Sequence, residues 1–138
     1  MNHDNYPNDY IPGILASVKT IALVGASQNA ERASWQVMNF LLQRGYHVIP
    51  VNPGLAGQTL LDQQVYGALA DIPTPIDMVD IFRNSEAAGH VVDEALALKT
   101  PPKAIWMQLG VRNDEAAKRA EAKGVKVVMD RCPKIELA

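Results

Sequence analysis

Five short apolar runs, each separated from the next by a helical or turn-forming stretch, constrain this chain more than any other feature. They are "TIALVG" (20–25), "YHVIPV" (46–51), "DMVDIF" (77–82), "AIWMQLG" (104–110) and "VKVVMD" (125–130). Most are rich in β-branched residues and show little polar alternation, which is how a strand buried on both faces reads. Between them lie segments with helical spacing. From Ser34, the apolar Val37, Met38, Leu41 and Leu42 share one face, and Arg44-Gly45 supplies a cation and then a glycine stop. "NSEAAGHVVDEALALK" opens on Asn84-Ser85 and aligns Ala88, Val91, Val92 and Ala95. "NDEAAKRAEAKG" opens on Asn113 as N-cap and ends at Gly124.

Strands alternating with helices imply βαβ units and a parallel sheet, and right-handed crossovers place helices on both faces. The expected fold class is therefore α/β: a single Rossmann-like doubly wound parallel sheet of five strands. Residues 1–12, polar and rich in Pro and Asn, are expected to form a flexible or loosely docked lead, with the domain spanning 13–138. "GILASVK" (13–19) reads as a short helix on the domain's side, and the tail "RCPKIELA" as too short for another unit. The connection "NPGLAGQTLLDQQVYGALADIP" is long and loop-rich, a feature often tied to function.

Composition removes several function classes. A net charge of −2 leaves no electrostatic footprint for nucleic acid. The single cysteine, Cys132, excludes an internal disulfide framework and any multi-cysteine metal site. No apolar run approaches a bilayer span, and the N-terminus lacks the basic and apolar regions of a signal peptide. A soluble, cytoplasmic protein is expected, with no membrane or nucleic-acid partner.

In an open parallel sheet, ligands sit outside the carboxyl ends of the strands where the strand order reverses. Those ends carry Gly25-Ala26-Ser27, Asn52-Pro53-Gly54, Arg83-Asn84-Ser85, Gln108-Leu109-Gly110 and Arg131-Cys132-Pro133. Turn residues occur at such ends in any fold, but five edges of hydrogen-bonding or cationic residues favour a binding cleft. The Gly25 turn leads towards a helix N-terminus, which suits a phosphate. A side chain at Gly25 is expected to block backbone approach to that phosphate without unfolding the chain. Only the first glycine of the G-x-G-x-x-G fingerprint is present, and the second strand ends in Val51, Asn52 and Pro53 rather than the acid that grips the ribose of NAD. NAD is disfavoured, and an adenine nucleotide phosphorylated on its ribose fits better.

No catalytic constellation stands out. His3 lies in the lead, His47 at the wrong edge of the second strand, and His90 in mid-helix. Cys132 stands beside Arg131, where a cation could activate a thiol, and the competing reading is a small buried hydrophobe next to Pro133. Trp106 reads as core. Trp35 at a helix start could lie over a ligand ring or simply pack.

Together "LVGAS", "ERAS", "GYHVIPVNP", "YGALADIP", "DMVDIFRNSE", "IWMQLGV" and "VVMDRCPKIE" resemble the small stand-alone CoA-binding domain proteins, which are similar in fold to the CoA-binding domain of the succinyl-CoA synthetase α subunit. The resemblance runs from about Gly13 to Glu136, and its motifs recur in order. It implies that Gly25, Ala26 and Ser27 cradle CoA phosphates with Arg32 as a cation on the same loop. It implies that Val51, Asn52 and Pro53 lie along the adenosine, and that Phe82, Arg83, Asn84, Gln108 and Gly110 belong to strand edges facing the pantetheine arm. The Arg131-Cys132-Pro133 turn resembles the Asn-Cys-Pro turn of the synthetase subunit. Family members commonly carry a lysine where this chain has Gly54, which bears on discrimination between CoA and dephospho-CoA. The synthetase also needs a second domain bearing a phosphorylated histidine and an ATP-grasp partner, so synthetase activity is not expected to carry over.

The resulting expectation is a non-catalytic protein that binds CoA or an acyl-CoA as carrier, buffer or sensor. Two alternatives stand beside it: a CoA-binding subunit working with a separate ATP-grasp partner, and a redox protein whose Cys132 forms a mixed disulfide with CoA.

Overall fold

The computed structural model describes the whole chain, Met1–Ala138. In chain order the elements are α1 (Tyr10–Ser17), β1 (Thr20–Val24), α2 (Ala33–Gln43), β2 (His47–Val51), β3 (Thr59–Leu60), β4 (Gln63–Gln64), β5 (Met78–Ile81), α3 (Ser85–Leu96), β6 (Ala104–Met107), α4 (Asp114–Ala122), β7 (Lys126–Val128) and α5 (Pro133–Leu137). Five strands form one parallel sheet in the order β2-β1-β5-β6-β7. The order reverses beside β1, so the connections leaving β1 and β5 run to opposite faces of the sheet and leave a crevice between them. This is the Rossmann-like α/β fold read from the alternation of runs.

Each strand sends alternate side chains to opposite faces. One face carries Ala22, Ile49, Val79, Ile81, Ile105, Met107 and Val127, covered by Ala88, Val91 and Val92 of α3 and Ala116 and Ala120 of α4. The other carries Ile21, Leu23, Val48, Met78, Trp106 and Val128, covered by Ile11, Ile14 and Leu15 of α1 and Val37, Met38 and Leu41 of α2. Both layers are apolar, and this accounts for the near-continuous hydrophobic runs. Asn84 and Asn113 cap α3 and α4 as expected, accepting from Ala87 N at 2.8 Å and Ala116 N at 3.0 Å. No helix is long and apolar enough to cross a membrane.

Three features differ from the sequence reading. The lead is anchored rather than loose. The Tyr10 hydroxyl donates to Val127 O at 2.8 Å and accepts from Val127 N at 3.0 Å, and the Tyr6 hydroxyl accepts from Met129 N at 2.9 Å. Two phenols thereby occupy backbone groups that the edge strand β7 would otherwise leave open to pairing. The tail forms α5, with Pro133 in its first turn, and Arg44 Nη2 donates to Leu137 O at 2.9 Å. Within the long connection, Leu61 (φ 49°) and Asp62 (φ 64°) turn the small β3–β4 hairpin. Left-handed values at both positions are those of the type I′ turn, in which leucine is unusual.

Tyr10→Phe removes a hydroxyl that serves both polar groups of Val127. The expected loss is about 1–3 kcal/mol of stability, read as a lower urea midpoint with unchanged slope.

Candidate functional site

Beyond the carboxyl end of β1 the chain turns through Gly25 at φ 93°. A Cβ at this position would collide with the backbone carbonyl oxygen of Phe82, the residue after β5. Gly25 is therefore needed to bring the β1 and β5 ends together, a structural demand separate from any ligand. Gly25 N and Ala26 N both donate to Val51 O, at 3.0 and 3.3 Å, so these two N–H groups are occupied by the fold. The backbone donors the turn can offer lie one step further on: neither Ser27 nor Gln28 spends its N–H on another backbone group.

The loop is held from within. Ser27 Oγ accepts from Asn29 N and Asn29 Oδ1 from Glu31 N, each at 3.0 Å. It ends at Arg32, after which α2 begins with no side-chain cap. The first-turn N–H groups of α2 thus lack intrahelical partners at the positive end of the helix dipole. Asn52, after β2, forms the opposite wall. Its Nδ2 donates to Ala26 O at 2.7 Å and its Oδ1 accepts from Gly54 N at 2.8 Å, so its side chain ties the two loops together.

These parts enclose a cleft of about 530 Å³ at the reversal of strand order. Its lining comes from the β1 turn (Gly25, Ala26, Ser27, Gln28), the start of α2 (Arg32, Ala33, Ser34), the β2 end (Asn52, Gly54, Leu55) and Phe82. Arg32 is the one charged residue among them, and no carboxylate lines the space. The cleft offers a cation, an uncapped helix start and loop amides, a combination suited to phosphate oxygens.

Of the residues expected at the site, Gly25, Ala26, Ser27, Arg32, Asn52 and Phe82 come together in the cleft. The others lie elsewhere, three of them for a common reason. Strand alternation continues past the strand ends, so that Asn52 and Phe82 face the α2 layer while Val51, Pro53 and Arg83 face the α3 layer. Those three border a separate cavity of about 90 Å³ with Val91 and Glu94. Asn84 spends its side-chain oxygen on the α3 cap. Gly110 N donates to Asp130 Oδ1 at 2.7 Å, outside the cleft lining.

Gln108 is only 6% exposed, and its Oε1 has no hydrogen-bond partner. Cys132 is packed in the α1–α2 core layer, the small buried hydrophobe of the two readings. Its neighbour Arg131 lies over the Tyr6 ring at 5.3 Å and pairs with Glu136 at 3.8 Å. Trp106 is fully buried, donating Nε1–H to Arg131 O at 2.9 Å, and Trp35 packs against the same core outside the cleft.

Four lining residues escaped the sequence reading: Gln28, Ala33, Ser34 and Leu55. The helix start at Ser34 was the available signal for two of them. A fifth omission concerns the cleft's surroundings. Asp80, inside β5, is completely buried with both carboxylate oxygens unpartnered, and burial pushes its carboxyl well above the ordinary range. An acid within an otherwise apolar strand run was visible in "DMVDIF".

Fold and cleft together define a Rossmann-like α/β protein with a crevice at its topological switch point, lined by one cation and no acid. Residues 19–138 match the CoA binding domain family model, and the chain belongs to that family. It is 38% identical over 125 residues to the uncharacterized protein YneT of Bacillus subtilis, covering 91% of this chain and 90% of that one. A hypothetical protein from Pyrococcus horikoshii superposes with a TM-score of 0.88 at 38% identity, covering 96% of this chain and 91% of the other. A Thermus thermophilus structure gives the same TM-score at 34% identity, covering 96% and 97%. A dinucleotide-forming acetyl-coenzyme A synthetase from Ca. Korarchaeum cryptofilum shares the fold, with a TM-score of 0.69 at 24% identity. The match covers 81% of this chain and 26% of that longer one.

Proposed function

We propose that this chain is a non-catalytic protein that binds CoA or an acyl-CoA in the Gly25 cleft. The observation that carries the reading is the cleft's lining: one arginine, loop amides, an uncapped helix start and no acid. A diphosphate would sit against Ser27, Gln28 and the first turn of α2, with Arg32 as its charge partner. Asn52 would act by holding the two loops in register. An NAD-type grip on a ribose diol has no carboxylate to make it. No group in the cleft is arranged as nucleophile and base, which supports carriage or sensing over chemistry. The burial of Cys132 speaks against a mixed disulfide with CoA.

A thermal-shift series with CoA, acetyl-CoA, dephospho-CoA, NAD, NADP and ATP tests the reading. A ligand at about a hundred times its dissociation constant stabilises by roughly 2.7 kcal/mol, a rise on the order of 10 °C for a domain of this size. CoA is expected to give such a rise and NAD none. Equal responses to both would overturn it. The dephospho-CoA response reports whether Gly54, in place of a lysine, leaves the ribose phosphate without a partner. Arg32→Ala is expected to weaken CoA by about 1.5–3 kcal/mol, the worth of a charged hydrogen bond. Arg83→Ala, on the other face, should change it by less than twofold.

A second reading is a CoA-binding subunit that works with a separately encoded ATP-grasp partner. It draws on the synthetase in which a region of this fold forms 26% of a longer chain. Co-purification of such a partner from the native host would favour it.

A further inference from the structure

The two edges of the sheet are closed in different ways. On β2 the cover is main chain. Tyr66 N donates to Pro50 O at 3.0 Å and Asn52 N to Tyr66 O at 2.9 Å, and Pro50 itself has no N–H to offer. On β7 the cover is side chain alone. The Tyr10 hydroxyl takes both polar groups of Val127, and the Tyr6 hydroxyl takes Met129 N. Residues 1–8 make backbone–backbone hydrogen bonds only among themselves and with Tyr10: Asn5 N to Asn2 O at 3.4 Å, and Tyr10 N to Pro7 O at 3.1 Å.

The arginines that anchor this segment each have a second partner. Asp4 pairs with Arg112 at 2.7 Å, and Arg112 also pairs with Asp114 at 2.8 Å. Arg131 lies over the Tyr6 ring at 5.3 Å and pairs with Glu136 at 3.8 Å. His3 bridges the Tyr6 hydroxyl at 2.7 Å and Glu121 at 3.3 Å. Lifting the segment strands neither arginine, and an exposed ion pair such as Asp4–Arg112 is worth little. The Tyr6 ring stacks on Tyr10 at 5.4 Å, so its departure also uncovers the second phenol. What release of both phenols does strand is the β7 edge, where Val127 N, Val127 O and Met129 N lose their partners.

The pattern of these groups selects what fits them. A strand pairing with its own copy about a two-fold axis runs antiparallel, and the residue on the axis both gives and accepts a hydrogen bond. Val127 turns both polar groups outward. Met129 N, at the next outward position, would meet Val125 O of the other copy, and Val125 O accepts no backbone hydrogen bond within this chain. Pairing centred on Val127 sets Lys126 opposite Val128, so the two like charges do not face each other.

We propose that residues 1–10 form a releasable strap, and that the β7 edge beneath it is a pairing surface for a second copy of this chain. Docked strap and paired copy need the same three backbone groups, so each excludes the other. Pairing would join two five-stranded sheets into one. The inference does not rest on the CoA reading, because β6 separates β7 from the strands that flank the cleft.

Tyr6→Ala combined with Tyr10→Phe removes both hydroxyls and the ring stack from the full chain. Sedimentation velocity over a range of concentrations, and hydrogen exchange at the Val127 and Met129 amides, are measured on this variant and the wild type, with urea unfolding as the check of fold. The wild type is expected to remain monomeric with both amides protected. At low concentration the variant should exchange these two amides roughly tenfold faster or more. At high concentration it should dimerise, with the Val127 amide protected again. Adding Val127→Pro removes the outward N–H without touching the ladder to β6 and should return the variant to monomer. Where Tyr6→Ala with Tyr10→Phe does not fold, His3→Ala with Asp4→Ala loosens the strap while keeping both phenols, and carries the same comparison. A folded variant with exposed edge amides that stays monomeric overturns the pairing surface. So does a dimer that survives Val127→Pro, or one in which the Val127 amide stays exposed, since either would use another face.

Discussion

Gly25→Ala is expected to destabilise the fold by about 2–5 kcal/mol, combining a left-handed backbone with overpacking. The sequence alone made Gly25 a ligand position, where a side chain would exclude phosphate and leave the fold intact. The structure reverses that expectation. Gly25 has φ 93°, and its missing Cβ is the space occupied by the Phe82 carbonyl. Backbone cannot move aside as the end of a flexible side chain can. Relief would require β1 and β5 to separate beside the cleft, where Phe82 N donates to Val24 O at 2.8 Å. A thermal melt without ligand is the check, with Tm expected to fall by on the order of 10 °C or more. An alanine variant that melted with the wild type would show that the strand ends relax cheaply. Loss of CoA binding in this variant would not, by itself, identify a phosphate contact.

Stability is expected to fall as pH rises from the ordinary aspartate range, because burial raises the pKa of Asp80 in the native state. Its folded pKa is raised by desolvation. Between the unfolded value, about 3.9, and the folded value, the native state therefore holds a proton that the unfolded chain has released. The derivative of unfolding free energy with pH is then negative, with a limit of about 1.4 kcal/mol per pH unit for one proton. Stability is greatest below the unfolded value and declines until the folded value is reached. Desolvation by burial is the one cause acting on its carboxyl. Leu23 and Trp106 flank it in the sheet, and α2 presents Val37, Met38 and Leu41 to that layer. Asp80→Asn should flatten the slope above the ordinary aspartate range, as measured by urea unfolding at successive pH values. A wild type and an Asn variant with parallel profiles would show that Asp80 ionises at its usual pH within the fold.

Much of the architecture was readable from the chain. Each strand is buried on both faces and so reads as a solid apolar run, and α2, α3 and α4 each show one apolar stripe with an Asn cap or glycine stop. Local chemistry sets these signals, and they survive without tertiary context. The tail and lead were misread because their structure is borrowed from elsewhere. Five residues of α5 are too few to hold a helix alone, and the order of Tyr6 and Tyr10 depends on Val127 and Met129, more than a hundred residues away.

The site divides along the same line. The sequence by itself determined that strand ends rich in turn and hydrogen-bonding residues would surround a cleft, that an acid for NAD was missing, and that Gly25 and Arg32 belonged to one loop. It could not say which residue of each strand-end triplet faces the cleft. A strand covered on both sides carries no polar–apolar alternation, so its phase is invisible until a helix is placed on each face. Packing fixed that phase, setting Asn52 and Phe82 into the cleft and Arg83 and Pro53 behind it. It also took up the N–H groups of Gly25 and Ala26 and left Asp80 and Gln108 buried without partners. Hydrogen-bond accounting of that kind depends on which strands become neighbours, and only the tertiary fold decides it.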